Sequence, residues 1–301
     1  MQISANTQNI KLQDVTIIVS SYDKYANLWP TFFELLFENW PSLKTSNKDV
    51  PIFLVSNTKS YTDPRVTVIK SPYARGWNGN VNDALKQVKT KYVLYLQDDY
   101  FINDVVLEDK IQEILDATIL YKLDYAEVSP RCAAGSEHVG NSPFLIYKDH
   151  DTGCFTTLQA AIWNRKTFEE FTSTNSLSIW DFENKKIEPH HRFAFYSAKT
   201  KPLKYENFMY HGHIDLRPYT WLYYKGYDVS FVANYEIHPQ YKLFNKPLEW
   251  FRKNTPILAN TGFYTYGFFL NTGRNIKRMI RKFQDERNEK NYSDKGHLDR
   301  G

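Results

Sequence analysis

The 301-residue sequence has only two cysteines, Cys132 and Cys154. Two thiols build no disulfide framework, and neither has a second Cys at metal-site spacing, so buried thiols in a reducing compartment are expected. No apolar run approaches the ~20 residues needed to span a bilayer. The N-terminal residues 1–8 lack a basic region followed by an apolar core, so a signal peptide is not expected. Glycine is scarce, at 12 residues. No Gly-x-Gly-x-x-Gly follows the first predicted strand, and no Gly-x-x-x-x-Gly-Lys-Ser/Thr occurs there, which removes the main support for dinucleotide and P-loop sites. A net charge of +4 is too small to imply a nucleic-acid partner. Internal repeats are also absent.

What is present fits a soluble globular protein of one large or two ordinary domains, with 42% hydrophobic and 24% charged residues. Aromatic residues are abundant: 22 Tyr, 20 Phe and 7 Trp. Such a surplus suits stacking on sugar rings, and cores and interfaces use it too. Trp163, Tyr219 and Trp221 are candidates for an acceptor groove or for the core.

The pattern alternates strand and helix. Residues 15–20, 51–56, 65–69 and 92–96 read as buried strands. Residues 27–40 read as a helix with Pro30 in its first turn, and 73–80 as a loop leading into a second helix. Asp104 is expected to cap a third helix carrying Leu107, Ile111, Ile114, Leu115 and Thr118 on one face. This order predicts a mostly parallel α/β sheet. Further on, 126–129 reads as a strand, 144–147 and 155–163 as strands paired with each other, and 167–171 as a helix start. The strand at 92–96 ends in Gln97, Asp98 and Asp99. Adjacent carboxylates at the carboxyl end of a buried strand repel unless a cation sits beside them, and Mg²⁺ or Mn²⁺ with open positions for phosphates fits. A turn or helix cap is the bland alternative.

Four stretches together resemble glycosyltransferases of the GT-A fold, close to the bacterial family-two group. Val15 to Tyr22 resembles the family's first strand and the start of its nucleotide pocket, and Pro51 to Asn57 its second strand, with Asn57 where an acidic residue often meets base or ribose. Gly76 to Leu85 resembles the loop and helix before the metal strand. Leu96-Gln97-Asp98-Asp99 resembles the Asp-x-Asp metal motif, with Gln97 where many members carry the first Asp. The resemblance implies a GT-A type, Rossmann-like mixed sheet flanked by helices, with an acceptor-side C-terminal half. It implies Mn²⁺ or Mg²⁺ on Asp99, and donor contacts from Ser20, Tyr22, Asn57, Arg75, Trp77 and Asp98, with a metal-bound water the alternative partner of Asp98 and loop stabilisation the alternative role of Arg75 and Trp77. His211 or His213 would add to the metal or diphosphate, and imidazole favours Mn²⁺; solvent-facing or core histidines are the alternative.

Displacement with inversion needs a base for the acceptor hydroxyl. Asp181 and Glu183, in Trp180-Asp181-Phe182-Glu183, are the candidates. Two residues apart on a helix they point apart, so only one faces the substrate, with Asp181 the first choice. First-turn acids stabilised by the helix dipole are the competing reading. The expected organisation is a nucleotide-sugar half over 1–120, an acceptor and base half over 121–272, and a basic helix with a polar tail over 273–301. The expected function is metal-dependent transfer of a sugar from a nucleotide-sugar donor to a glycan or lipid-linked acceptor in surface polysaccharide synthesis, with inversion. Sugar nucleotidyltransfer and non-catalytic carbohydrate binding are the alternatives. The expected location is cytoplasmic. Within 274–283, Arg274, Lys277, Arg278, Arg281 and Lys282 flank an apolar stripe, which suits peripheral contact with the inner membrane face or packing of a terminal helix.

Overall fold

The structure, a computed structural model, describes residues 11–44, 50–130, 144–146, 157–173, 179, 183, 194–210 and 212–236. The chain divides into a first unit, residues 1–209 with 227–234, and a second, residues 210–226 with 235–301.

The first unit is built on an eight-stranded mixed sheet. Strands β1 (Val15–Ser20), β2 (Ile52–Ser56), β3 (Val66–Lys70) and β4 (Tyr92–Gln97) run parallel, with β1 between β2 and β4. Their runs of Val, Ile, Leu and Tyr suit strands buried on both faces. Helices α1 (Trp29–Asn39) and α2 (Gly76–Leu85) supply crossovers. Two loop predictions need correction here. Residues 76–80 belong to α2 and not to a loop; Gly76, at φ 66°, makes the turn from Tyr73–Arg75 into the helix, a backbone region that glycine enters without strain. Asp104 does not cap α3 (Glu108–Leu120); its Oδ1 accepts the Val105 amide, and it pairs with Lys204.

Beyond β4 the sheet turns mixed. Strand β8 (Ala161–Asn164) lies antiparallel to both β4 and β6 (Tyr125–Glu127), β9 (Phe195–Ala198) is parallel to β6, and β7 (Phe144–Ile146) is antiparallel to β9. The expected pairing of 144–147 with 155–163 is therefore wrong. The segment 157–160 is not strand, and β8 and β7 are separated by β6 and β9. Strand order was hidden because short apolar runs do not encode their partners. A separate antiparallel pair joins β5 (Tyr100–Ile102) to β10 (Tyr205–Asn207).

One face of the sheet carries the main core, where Ile18, Val55, Val93 and Tyr95 meet Val81 and Leu85 of α2 and Phe168 of α4 (Arg165–Ser173). Trp163 stacks on Phe168 at 4.4 Å between centroids and is fully buried. It therefore belongs to the core and not to a groove. On α1, Trp29, Phe32, Phe33, Leu35, Leu36 and Phe37 are all buried. Phe32 and Phe208 pack on Phe101 of β5, which holds the turn after β4 against α1. Of the second unit, the structure describes the short strand His213–Ile214 and the helix Leu216–Lys225, where Tyr219 is buried.

Candidate functional site

The register places Ser20 of β1 beside both Gln97 of β4 and Val55 of β2. The segments leaving these strands therefore emerge on one edge, at the carboxyl ends where α/β sheets bind ligands. Asp98 and Asp99 form the tight turn between β4 and β5. Backbone bonds brace that turn on both sides: the Asp98 amide donates to the Ser20 carbonyl at 3.3 Å, and the Phe208 amide to the Asp99 carbonyl at 2.8 Å. The Tyr205 hydroxyl accepts from the Gln97 amide and donates to the Gln97 carbonyl at 2.6 Å. A tyrosine on β10 thus fixes the residue just before the acids.

The two acids have different surroundings. Asp98 is buried, with Oδ2 accepting the Ser21 hydroxyl and the Trp29 indole N–H, the latter at 3.0 Å. The same indole N–H reaches Ser21 Oγ at 2.7 Å, closing a three-membered knot between β1, α1 and the β4 turn. Burial, followed by the charge of Asp99, raises the Asp98 pKa well above the usual carboxylate range, and the two donors oppose the shift. Asp99 sits in dense surroundings yet keeps an accessible face. Burial pushes its pKa up to about 7, and the nearby charge of Glu183 adds to the rise. Glu183 therefore lies within electrostatic range of Asp99, and its Oε1 accepts the Leu158 amide at 2.8 Å. Tyr22, Tyr25, Tyr95 and Tyr205 surround Asp99 closely enough for its charge to raise the pKa of each, after burial as the main cause.

The other predicted donor residues are held by the protein. Tyr22 is half-buried, with its ring 4.6 Å from that of Tyr25. Ser20 is buried and hydrogen-bonded to the Tyr95 hydroxyl. Trp77 donates its indole N–H to the same hydroxyl at 2.9 Å and packs on the core. Asn57 is buried; its Nδ2 donates to the Ser71 carbonyl at 3.1 Å, and its backbone amide to Asp23 Oδ1. Asp23 also accepts the amides of Thr58 and Lys59, so it clamps the loop after β2 to the segment after β1. Arg75 is exposed and paired with Asp83 at 2.9 Å. His213 lies in the second unit, 3.7 Å from a Glu236 carboxylate oxygen. Asp181 and His211 lie outside the described residues, as do Cys132, Cys154 and the basic segment 274–283. Sequence reasoning missed Ser21, Trp29 and Tyr205, which act through tertiary contacts that no local spacing announces.

Residues 46–150 match the family model of glycosyl transferase family 2. Over this stretch the chain is similar to family 2 glycosyltransferases. The stretch contains β2 to β4, α2 and the Asp98–Asp99 turn, so three of the four stretches that carried the resemblance lie within it, and Val15 to Tyr22 lies before it. Among curated proteins, the chain is similar to beta-1,4 N-acetylgalactosaminyltransferase 2 of Mus musculus, at 28% identity over 82 residues, which cover 26% of this chain and 16% of that protein. Among solved structures it is similar to S. aureus TarS 1-349, at 13% identity and TM-score 0.39, covering 64% of this chain and 59% of that one. The same protein in complex with UDP-GlcNAc matches at 13% identity and TM-score 0.39, over 64% of this chain and 57% of that one. In each case the match spans less than two thirds of the relative's length. The mixed α/β sheet flanked by helices agrees with the arrangement expected from the sequence.

Proposed function

We propose that the protein is a metal-dependent, inverting glycosyltransferase that moves a sugar from a nucleoside-diphosphate donor to a glycan or lipid-linked acceptor in surface polysaccharide synthesis. The observation that carries this reading is the accessible Asp99 carboxylate at the carboxyl end of β4, with Glu183 close enough to raise its pKa, inside a stretch that matches the family 2 model.

Among the described residues no cluster of three His, Cys, Asp or Glu is placed to hold a metal by itself. A hard cation that retains several waters needs only one or two carboxylates plus substrate phosphates, and Asp99 meets that requirement. Asp99 would hold the ion, and a bound cation would neutralise the diphosphate as it leaves. Asp98, committed to Ser21 and Trp29, keeps the turn in shape.

In the transfer step the acceptor hydroxyl oxygen bonds to the anomeric carbon as the bond to the diphosphate oxygen breaks. Glu183 takes the hydroxyl proton, and Asp181 is the alternative base. The basic segment 274–283 would bring the enzyme to lipid-linked acceptors at the cytoplasmic membrane face, and flotation with anionic liposomes tests that part. Among the described residues no helix is long and apolar enough to cross a membrane.

The main test is thermal shift of the full chain with a panel of nucleotide sugars, starting with UDP-GlcNAc, with and without Mn²⁺. A donor at 100 times its Kd stabilises by about 2.7 kcal/mol. The expected shift appears only with the metal and disappears in Asp99→Asn. A donor shift of equal size without metal, or in Asp99→Asn, refutes the metal role.

A further inference from the structure

Glu127 closes β6 on the same sheet edge as Asp98 and Asp99, because β6 runs parallel to β4 through the intervening β8. Its side chain is fully buried. Burying a carboxylate costs several kcal/mol, and an apolar residue of similar size packs such a position at least as well. A buried acid at this edge therefore has a role other than packing.

The hydrogen bonds trace one. Glu127 Oε1 accepts the Thr157 hydroxyl at 2.7 Å, and Oε2 accepts the Ser197 hydroxyl of β9 at 3.2 Å. The Tyr125 hydroxyl, also on β6, donates to the Thr157 carbonyl at 3.1 Å. Thr157 is thus tied down by hydroxyl and carbonyl together. The next residue, Leu158, presents its amide to Glu183 Oε1 at 2.8 Å. The one after, Gln159, donates its side-chain amide to the Tyr100 hydroxyl at 3.1 Å. Tyr100 stacks on Tyr205 at 4.9 Å, and Tyr205 fixes Gln97. The non-strand segment 157–159 is therefore a bracket, anchored at one end on a buried carboxyl and linked to the Glu183 carboxylate and, through Tyr100 and Tyr205, to Gln97 just before the β4 turn.

We propose that Glu127 is a positioning residue: through Thr157 it sets the Leu158 amide that orients the Glu183 carboxylate. The two oxygens of Glu127 accept the Thr157 and Ser197 hydroxyls, whereas an amide offers only one acceptor oxygen, so Glu127 holds Thr157 more firmly than Gln does. Fixing one oxygen of Glu183 defines the direction in which it meets a proton. This inference rests on the role of Glu183 in glycosyl transfer proposed above, and its structural half is measurable without any substrate.

The test uses the full chain and two readouts. The first is residue-resolved hydrogen exchange of the Leu158 amide in wild type, Thr157→Val, Thr157→Ser, Glu127→Gln and Glu183→Gln. Thr157→Val keeps the shape and removes the hydroxyl, and it should speed exchange about tenfold, as Glu183→Gln does. Thr157→Ser, which keeps the hydroxyl, should restore protection, and Glu127→Gln should fall between. The second readout is nucleotide release from the donor selected by thermal shift. Thr157→Val should lower kcat about 10- to 100-fold, a size typical of a misplaced catalytic group, with donor KM unchanged and kcat recovered in Thr157→Ser. Unchanged Leu158 protection in Thr157→Val, or faster exchange with wild-type kcat, overturns the proposal. Should Glu127→Gln fail to fold, the Thr157 pair decides alone. If wild type turns over no nucleotide sugar, the glycosyl-transfer reading fails, and the exchange pattern still shows whether Glu127 and Glu183 are coupled.

Discussion

The knot of Asp98, Ser21 and Trp29 makes a quantitative claim about stability. The Trp29 indole N–H is shared between Ser21 Oγ at 2.7 Å and Asp98 Oδ2 at 3.0 Å, and both Trp29 and Asp98 are buried. Trp29→Phe removes that donor while keeping an aromatic ring. It takes one of two side-chain donors from a buried carboxyl, and leaving a buried acceptor short of a partner costs about 1–3 kcal/mol. Loss of indole volume adds to this, so the single variant should lose about 3 kcal/mol in urea unfolding followed by far-UV circular dichroism. In an Asp98→Ala background the indole has only the neutral Ser21 oxygen to lose, a bond of about 1 kcal/mol. The double-mutant cycle should therefore give a coupling of about 1–2 kcal/mol between positions 29 and 98. The same cycle with Asp99→Asn in place of Asp98→Ala should give less than about 0.5 kcal/mol, because no bond links Trp29 to Asp99. Additivity of Trp29→Phe with Asp98→Ala would refute the knot, and with it the division of labour between the two acids.

Three further outcomes are expected. Asp99→Asn should abolish Mn²⁺-dependent nucleotide release by about 100-fold or more while leaving the metal-free thermal midpoint equal to or above that of wild type, since it removes an unfavourably placed charge; calorimetry in chelator with a parallel release assay checks both. Glu183→Gln should lower kcat by about 100-fold with donor KM unchanged, whereas loss of donor binding would move Glu183 to the donor side. Hydrogen bonds from Thr58, Lys59 and Asn57 hold Asp23 below its ordinary pKa against the opposing effect of burial. A depressed carboxyl contributes stability above its unfolded pKa, near 4, and that contribution is lost as pH falls through the folded value. The difference in thermal midpoint between wild type and Asp23→Asn should therefore be full at neutral pH and shrink steadily below pH of about 4.

The parts of this fold that were legible in the sequence are those where one residue run determines one element. The apolar strand 92–96 could be nothing but a buried strand, and the polar break at Gln97 located the site at its carboxyl end. The register of β1 with β4 then follows, because two parallel buried strands that start beside each other also end together, as Val15 with Tyr92 and Ser20 with Gln97 do. What stayed hidden depends on partners far along the chain. Nothing near Tyr205 marks it as the residue that fixes Gln97, because 108 positions separate them. The β7 and β8 segments were assigned to each other because both are short and apolar, and only the assembled sheet shows two strands between them. Arg75 and Trp77 were expected either to pack on the nucleotide or to stabilise their loop; Arg75 lies just before α2 and Trp77 in its first turn, and their side chains bond to Asp83 and Tyr95.

The same contrast explains the two acids. As a sequence, Asp98 and Asp99 are equivalent, and assigning one to the cation and the other to the donor rested on the resemblance alone. Their environments differ through Trp29, which lies 69 positions from Asp98 and supplies the bond that keeps Asp98 inside. With two side-chain donors on one carboxylate, the cost of burying the pair is concentrated where it is offset, and Asp99 remains the acid with an accessible face. The like charges would raise each other's pKa in any arrangement, but only this one gives the inner acid donors and leaves the outer acid to a cation. Replacing Ser21 by Ala removes the other donor and should therefore act like Trp29→Phe. It should destabilise the turn by about 1–3 kcal/mol and raise the Mn²⁺ concentration needed for half-maximal donor binding, because Asp99 is then held less firmly. A Ser21→Ala protein with wild-type stability and wild-type Mn²⁺ requirement would show that the turn holds its shape without the knot, and that the backbone bonds from Asp98 to Ser20 and from Phe208 to Asp99 suffice.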